Sequence, residues 1–125
     1  MNREIKFRAF DDSEMLTMPI NTNYGLSRFF GCLRDDAVIM QFTGLKDKNG
    51  NEIYEGDVLQ TKNNIVEVFF GKKVHSVFMF GKRDTIEING WLVKNSKNHT
   101  DVLDESFIHG KIIGNIYENP ELLNR

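Results

Sequence analysis

The most informative segment of the chain is Gln41-Phe42-Thr43-Gly44-Leu45-Lys46-Asp47-Lys48-Asn49-Gly50-Asn51-Glu52-Ile53-Tyr54-Glu55-Gly56-Asp57-Val58. Glycines and an Asn-Gly pair separate two apolar runs. Gly44 is predicted to end the first strand, and Asp47 to Gly50 predicts a turn, because Gly and Asn accept backbone angles that other residues avoid. Ile53 and Tyr54 are apolar anchors that we expect to be buried. The segment is therefore predicted to be an ordered structural clasp rather than a catalytic loop.

Asp47, Asn49 and Asn51 also have the spacing of the first ligands of a calcium-binding loop. Such a loop requires Gly at its sixth position and Glu at its twelfth, where this chain has Glu52 and Val58. The pattern therefore favours a turn that Asp47 supports locally. On that interpretation, Asp47→Ala should cost about 1 kcal/mol or less.

Upstream of this segment, the chain predicts a hairpin. Glu4 to Phe10 alternates, with Ile5, Phe7 and Ala9 on one face and charged residues on the other. Asp11 to Ser13 is predicted to turn, and Met15 to Met18 to return as the partner strand. Ile20 to Asp36 has no clear period, although its aromatic residues indicate that it packs on the core.

Downstream, the pattern predicts several short strands. Asp57 to Lys62 and Ile65 to Phe70 are expected to form a hairpin across Asn63-Asn64. Asn89-Gly90 is the strongest two-residue turn signal, and it predicts a second hairpin that pairs Ile86-Glu87-Ile88 with Trp91-Leu92-Val93.

Close strand spacing with Gly and Asn turns favours one mainly β domain over residues 1–125. It should be a small antiparallel barrel or a strongly bent sheet, with an SH3-like barrel as one candidate. Short helical turns are expected at Leu103 to Phe107 and at Pro120 to Leu123, the latter because Asn119-Pro120 suits a helix start.

Composition, net charge and cysteine content argue against several classes of protein. Hydrophobic residues at 40% and charged residues at 27% are typical of a globular chain. The formal charge of −2 gives no support to a general nucleic-acid binder. The single cysteine, Cys32, excludes an internal disulfide and suits a reducing cytosol. No long apolar segment follows Met1, so we expect a cytoplasmic protein without a membrane partner.

Three parts of the chain together resemble a known family. Phe42 to Val58 is similar to the signature segment of the YopX-like proteins of phages and prophages. Ile5 to Asp11 resembles the family's N-terminal strand, with Phe10 where that family has Trp, and Ile112 to Leu123 resembles its C-terminal motif. The resemblance implies a small cytosolic protein of the bacterial host, and the family carries no established biochemical activity.

Chemical groups that could form an active site are scattered. Cys32 could pair with His75, His99 or His109 as nucleophile and base, but nothing near it indicates an activated thiol. The adjacent acidic pairs lie at predicted turns, where Asp supports the backbone. No phosphate-binding loop or zinc spacing is present. We therefore predict a non-enzymatic protein without metal or cofactor.

The segment from Phe69 to Arg83 is the candidate contact site. Cations interleaved with aromatic rings can grip single-stranded nucleic acid, although aromatic residues on strands more often form the core. The candidate contact residues for nucleic acid or a protein partner are Lys72, Lys73, His75, Phe78, Phe80, Lys82 and Arg83.

Phe69-Phe70 and Val77 to Phe80 are apolar on both faces of a strand, so one face requires a cover. The N-terminal segment, Trp91 or a second copy of the chain could supply it. We predict an accessory protein that acts by protein contacts or homo-oligomerisation. A nucleic-acid binding module is the alternative, and an enzyme with a site in a deep polar pocket is the third possibility.

Overall fold

The computed structural model describes residues 5–17, 30–31 and 33–123, and antiparallel strands dominate this part of the chain. The described strands are β1 (Phe7–Asp11), β2 (Glu14–Thr17), β3 (Val38–Lys46), β4 (Glu52–Tyr54), β5 (Asp57–Gln60), β6 (Ile65–Met79), β7 (Lys82–Lys94), β8 (Thr100–Val102) and β9 (Lys111–Asn115). The prediction of a mainly β fold with a strongly bent sheet is confirmed, because an antiparallel sheet curls into a half-barrel.

The first sheet has the strand order β2-β1-β3-β4. Asp12 and Ser13 connect β1 to β2 with positive φ angles of 50° and 66°, as a two-residue hairpin turn requires. This confirms the predicted N-terminal hairpin. The prediction for Ile20 to Asp36 falls mostly outside the described residues, as does Cys32, but the Phe30 ring lies edge-on to Phe7 with a centroid distance of 5.5 Å.

The second sheet has the order β8-β7-β6-β5-β9. Gln60 pairs with Ile65, and the loop between them is closed by a hydrogen bond of 2.8 Å from Thr61 N to Asn64 O. The predicted hairpin across Asn63-Asn64 is therefore confirmed. A cluster of buried apolar side chains forms the core beneath this sheet: Ile53, Leu59, Val66, Val68, Val93 and Leu103.

Short helical turns complete the described chain. Helix α1 covers Glu105–Ile108 and begins at Asp104, whose carboxylate accepts a hydrogen bond of 2.9 Å from Ser106 N. A 3-10 turn covers Pro120–Leu123. Both agree with the short helical turns that the sequence predicts.

The segment Gln41–Val58 connects the sheets, since β4 belongs to the first and β5 to the second. Gly44, Gly50 and Gly56 all have φ angles between 83° and 88°, a region that glycine enters without strain. Ile53 and Tyr54 are buried, as predicted. One detail of the prediction was wrong: Gly44 does not end β3, because the strand continues to Lys46 through a shift in its register with β4.

Asp47 supports the turn with its carboxylate. Oδ1 accepts hydrogen bonds of 2.9 Å from both Asn49 N and Asn51 N, which agrees with a turn rather than a calcium ligand. Oδ2 accepts a further bond of 3.0 Å from Ile112 N on β9. The carboxylate therefore also holds this turn against a strand 65 residues away.

The charged residues at the start of the chain are covered by acidic partners from other strands. Lys6 bonds to Glu52, and the Arg8 guanidinium lies 2.7 Å from Asp57 and 4.8 Å above the Tyr54 ring. The side chains of Lys6 and Arg8 are largely buried by these contacts. The alternating pattern correctly predicted that Lys6 and Arg8 share a face. It did not show that acidic residues of β4 and β5 cover that face.

The predicted hairpin at Asn89-Gly90 was wrong. Both residues lie inside β7, where Asn89 pairs with Lys72 and Gly90 with Gly71. The chain reverses instead at Phe80 and Gly81, which have φ angles of 54° and 75°. These two residues meet the same two-residue turn requirement, and the reversal there allows thirteen consecutive cross-strand pairs to form.

Candidate protein-contact site

The outer part of the β6–β7 hairpin forms a separate structural feature, which we call the arm and define as Phe69 to Gly90. Towards the body of the protein, β5 pairs with β6 only as far as Glu67, and β8 pairs with β7 only from Leu92. Within the described chain, the arm strands therefore pair only with each other. Eleven residues of β6 at about 3.3 Å each make the arm about 36 Å long.

Large apolar side chains on the arm are exposed to solvent. Phe70, Phe78 and Phe80 have exposed fractions of 59%, 73% and 97%. Val74, Met79 and Ile86 are also exposed. These six residues make up most of the exposed large hydrophobic side chains in the described chain, because only Ile5 and Ile39 lie elsewhere. A concentration of this kind is typical of an interaction surface.

The cross-strand register assigns these residues to faces. Phe70 pairs with Trp91, Val74 with Glu87, and Phe78 with Arg83 on one face. The opposite face pairs Lys73 with Ile88, His75 with Ile86, Val77 with Asp84, and Met79 with Lys82. Both faces thus mix apolar and charged groups, as the sequence suggests.

Trp91 partly covers the base of the arm. Its ring packs edge-on against Phe70 with a centroid distance of 5.2 Å. Because Phe70 remains 59% exposed, Trp91 covers it only in part.

An ion pair lies on the part of β6 next to the arm, where Glu67 is 3.8 Å from Lys94. Burial raises the pKa of Glu67, and the Lys94 ammonium opposes that rise.

The structure places the predicted contact residues on two faces rather than one. Lys72 lies on the face of Phe78 and Arg83, and its Nζ is 3.1 Å from Glu87. Lys73, His75 and Lys82 lie on the other face. There the Lys73 ammonium donates a hydrogen bond of 2.6 Å to Thr100 O and lies 3.8 Å from Asp101.

Four of the predicted residues do come together at the tip of the arm. Phe80 occupies the turn, Lys82 and Arg83 begin β7, and Phe78 lies opposite Arg83. Val74, Met79 and Ile86 also belong to this surface, although they were not among the predicted contact residues. Met79 and Ile86 each have an apolar residue at an alternate position, Val77 and Ile88, but the misplaced turn separated Ile86 from β6.

A cavity outside the arm is lined mainly by basic and polar side chains. This cavity, of about 420 Å³ beside α1, is lined by Lys48, Lys62, His109 and Lys111 among others, with no carboxylate among its described lining residues. Within residues 5–17, 30–31 and 33–123, no three His, Cys, Asp or Glu side chains group to hold a metal ion. His75, His99 and His109 lie on β6, before β8 and at the end of α1.

No helix in the described chain is long and apolar enough to span a membrane.

Comparisons with known proteins identify relatives over almost the whole chain. A family profile described as YopX protein matches residues 20–124, in agreement with the resemblance of the central and C-terminal motifs. The crystal structure of protein EF1440 from Enterococcus faecalis is 26% identical and has a TM-score of 0.51, with 98% of this chain and 99% of that chain covered. No curated protein matches the sequence.

Proposed function

Because this chain belongs to the YopX family, we propose that it is a non-enzymatic accessory protein of a phage or prophage that acts in the bacterial cytoplasm by self-association through the arm. The observation that supports this proposal is the cluster of exposed apolar side chains on a hairpin whose strands pair only with each other in the described chain.

The exposed area is sufficient for association between two copies. The exposed fractions of Phe70, Phe78 and Phe80 correspond to somewhat more than two complete side chains, or about 450 Å² at about 200 Å² for each aromatic residue. Two copies together supply about 900 Å² from these rings alone. A stable interface buries at least about 1,000 Å², and Val74, on the same face as Phe70 and Phe78, provides further apolar area.

The form of the arm also favours a partner. A two-stranded hairpin is marginally stable in water by itself, and an exposed apolar edge strand readily pairs with another chain. Pairing with a second copy would stabilise both arms at once. It would also shield apolar side chains of each arm from water.

Nucleic-acid binding is the second candidate, since Phe78, Phe80, Lys82 and Arg83 meet at the tip. Against it, Lys72 and Lys73 already face Glu87 and Asp101. These carboxylates lower the local positive charge that phosphates require. Self-association therefore accounts for more of the arm than nucleic-acid binding does.

Analytical ultracentrifugation across a micromolar concentration series tests the proposal. The natural chain should form dimers, and Phe78→Ser with Phe80→Ser should shift the equilibrium at least tenfold towards monomer without lowering the melting temperature of the body. Ile39→Ser is the matched control, because Ile39 is an exposed apolar residue outside the arm and its replacement should leave association unchanged.

A natural chain that stays monomeric throughout the series would overturn the proposal. Salt-dependent binding to single-stranded DNA or RNA, lost in the Phe78→Ser and Phe80→Ser variant, would instead support the nucleic-acid alternative.

A further inference from the structure

The backbone of β6 shows which groups face the open edge of the arm. Gly56 N donates a hydrogen bond of 2.8 Å to Val68 O, so the Val68 carbonyl points away from β7. In an antiparallel strand, successive residues direct their N–H and C=O groups to opposite neighbours. Phe70, Lys72, Val74, Ser76 and Phe78 therefore also present theirs to the open edge.

The hydrogen bonds on the far side of β7 independently support the assignment of Phe70 to the open edge. Trp91 pairs with Phe70, and the Trp91 carbonyl accepts a hydrogen bond of 3.1 Å from Leu103 N on the far side of β7. Paired residues in an antiparallel ladder both point inwards or both point outwards. Phe70 therefore belongs to the outward set, as the Val68 carbonyl indicates.

We propose that a second copy of this chain pairs with that edge, β6 against β6 in antiparallel orientation, about a two-fold axis at Val74. This inference rests on the proposed self-association and specifies its geometry. The free edge begins after Val68, whose carbonyl is already bonded, and ends at Met79. Val74 is the midpoint of Phe69 to Met79, so this register uses the whole free edge in both copies.

The side chains agree with the Val74 register. Phe70 of each copy lies opposite Phe78 of the other, and aromatic cross-strand pairs are stabilising. Lys72 lies opposite Ser76, and Val74 opposite itself. Shifting the axis to Lys72 or Lys73 instead places two lysines directly opposite each other, which destabilises the pair.

The β7 edge is a poorer candidate for the same contact. Its residues that correspond to the outward set are Arg83, Thr85, Glu87 and Asn89. Charged and polar residues are typical of edge strands that resist pairing. Pairing at β6 instead gives a continuous four-stranded sheet with two-fold symmetry, the commonest arrangement of dimers.

The tip of the arm gains a partner in this geometry. Phe80 follows Met79, which lies opposite Phe69 of the second copy. Phe80 therefore lies at the end of the free edge, next to Gly56 of that copy, which already bonds to Val68 O. This contact accounts for an aromatic side chain that is 97% exposed in the single chain.

Disulfide cross-linking of the full chain tests the register. In a Cys32→Ser background, Val74→Cys should link two copies under mild oxidation, because directly paired, hydrogen-bonded residues have Cα atoms about 5.5 Å apart, within the disulfide range of about 4.4–6.8 Å. Lys72→Cys and Ser76→Cys are matched controls. Each lies about 13 Å along the strand from its own copy and should not link alone, whereas a mixture of the two should form the covalent dimer.

The outcomes separate the register from self-association. A dimer in which Val74→Cys does not link, or in which all three single variants link equally, overturns the register and leaves self-association standing. A chain that is monomeric by ultracentrifugation overturns both. Linking by Val74→Cys and by the mixture, without linking by the two controls alone, supports the register.

Discussion

The Arg8 guanidinium lies 2.7 Å from the Asp57 carboxylate and so joins β1 of the first sheet to β5 of the second. Tyr54 N donates a hydrogen bond of 2.7 Å to the other carboxylate oxygen, and Arg8 Nη2 also donates to Glu55 O at 3.3 Å. Burial raises the pKa of Asp57, while Arg8 and the Tyr54 N–H oppose that rise. One buried ion pair thus connects the N-terminal strand to the clasp.

Removing one partner of this pair should strongly destabilise the protein. Asp57→Ala leaves the Arg8 guanidinium buried without its carboxylate, and such losses cost about 3–5 kcal/mol. Arg34→Met is the control, because the Arg34 pairs with Asp12 and Asp36 are exposed and should contribute little. Urea unfolding of both variants measures the difference, and equal midpoints would contradict a structural role for the Arg8–Asp57 pair.

Tyr54 should be a major stabilising residue of the clasp. Its ring is buried, with its centroid 5.5 Å from that of Phe42 and with Arg8 above it. Tyr54→Ala should cost about 3–5 kcal/mol, the usual range for a buried aromatic residue. We expect the melting temperature to fall by many degrees. Tyr54→Phe, which keeps the ring, should retain most of the stability, and a similar loss in both variants would show that the hydroxyl matters more than packing.

Asp47 should matter more than the sequence predicts. The sequence predicts that Asp47 supports only a local turn, but Ile112 N on β9 also donates a hydrogen bond to its carboxylate. Asp47→Ala leaves the N–H groups of Asn49, Asn51 and Ile112 without their acceptor. Only Ile112 among these residues is partly buried, so we expect a cost of about 1–3 kcal/mol. If urea unfolding shows that Asp47→Ala lowers the free energy of unfolding by about 1 kcal/mol or less, Asp47 supports only its own turn.

The contribution of Asp47 should also depend on pH. Burial acts to raise its pKa, but hydrogen bonds from the N–H groups of Ile112, Asn51 and Asn49 lower it below the ordinary value of 3.8. A lowered pKa in the folded state means that the stabilisation is complete above pH 3.8 and is lost as the pH falls through the folded value. The stability difference between the natural chain and Asp47→Asn should therefore narrow below pH 3.8. An unchanged difference at pH 7 and pH 3 would contradict this prediction.

Gly71 and Gly90 lie opposite each other in the arm and should respond differently to alanine. A Cβ at Gly71 would lie 2.7 Å from Cε2 of the Phe69 ring, whereas a Cβ at Gly90 meets nothing within 4 Å. Gly90→Ala should be neutral or stabilise by about 0.4–1 kcal/mol, because it restricts the unfolded chain. Gly71→Ala should displace the Phe69 ring and lower stability. Thermal melting of the two variants provides the comparison, and equal melting temperatures would contradict it.

The sequence predicted elements that depend on neighbouring residues. The Asp12-Ser13 turn, the burial of Ile53 and Tyr54, and the helical start at Asn119-Pro120 all follow from local conformational preference or from apolar position. The family resemblance covered the same parts of the chain. These features need no knowledge of which strands pair.

Beyond the two short hairpins at Asp12-Ser13 and Asn63-Asn64, the sequence did not reveal features that depend on strand pairing. Asn89-Gly90 has stronger local turn preference than Phe80-Gly81, but the long register of β6 with β7 outweighs that preference. The covered face of β1 depends on acidic residues supplied by β4 and β5. The open edge of β6 is likewise visible only once the Gly56–Val68 hydrogen bond shows which way the backbone groups point.

The position of β9 beside β5 has a consequence for protein synthesis. The two strands of the arm follow each other directly, so the arm can form soon after β7 has left the ribosome. Asp57, by contrast, pairs with Asn115, and the Asp47 carboxylate reaches Ile112. Since contacts distant in sequence form late, the central segment can reach its final set of contacts only after β9 has been made.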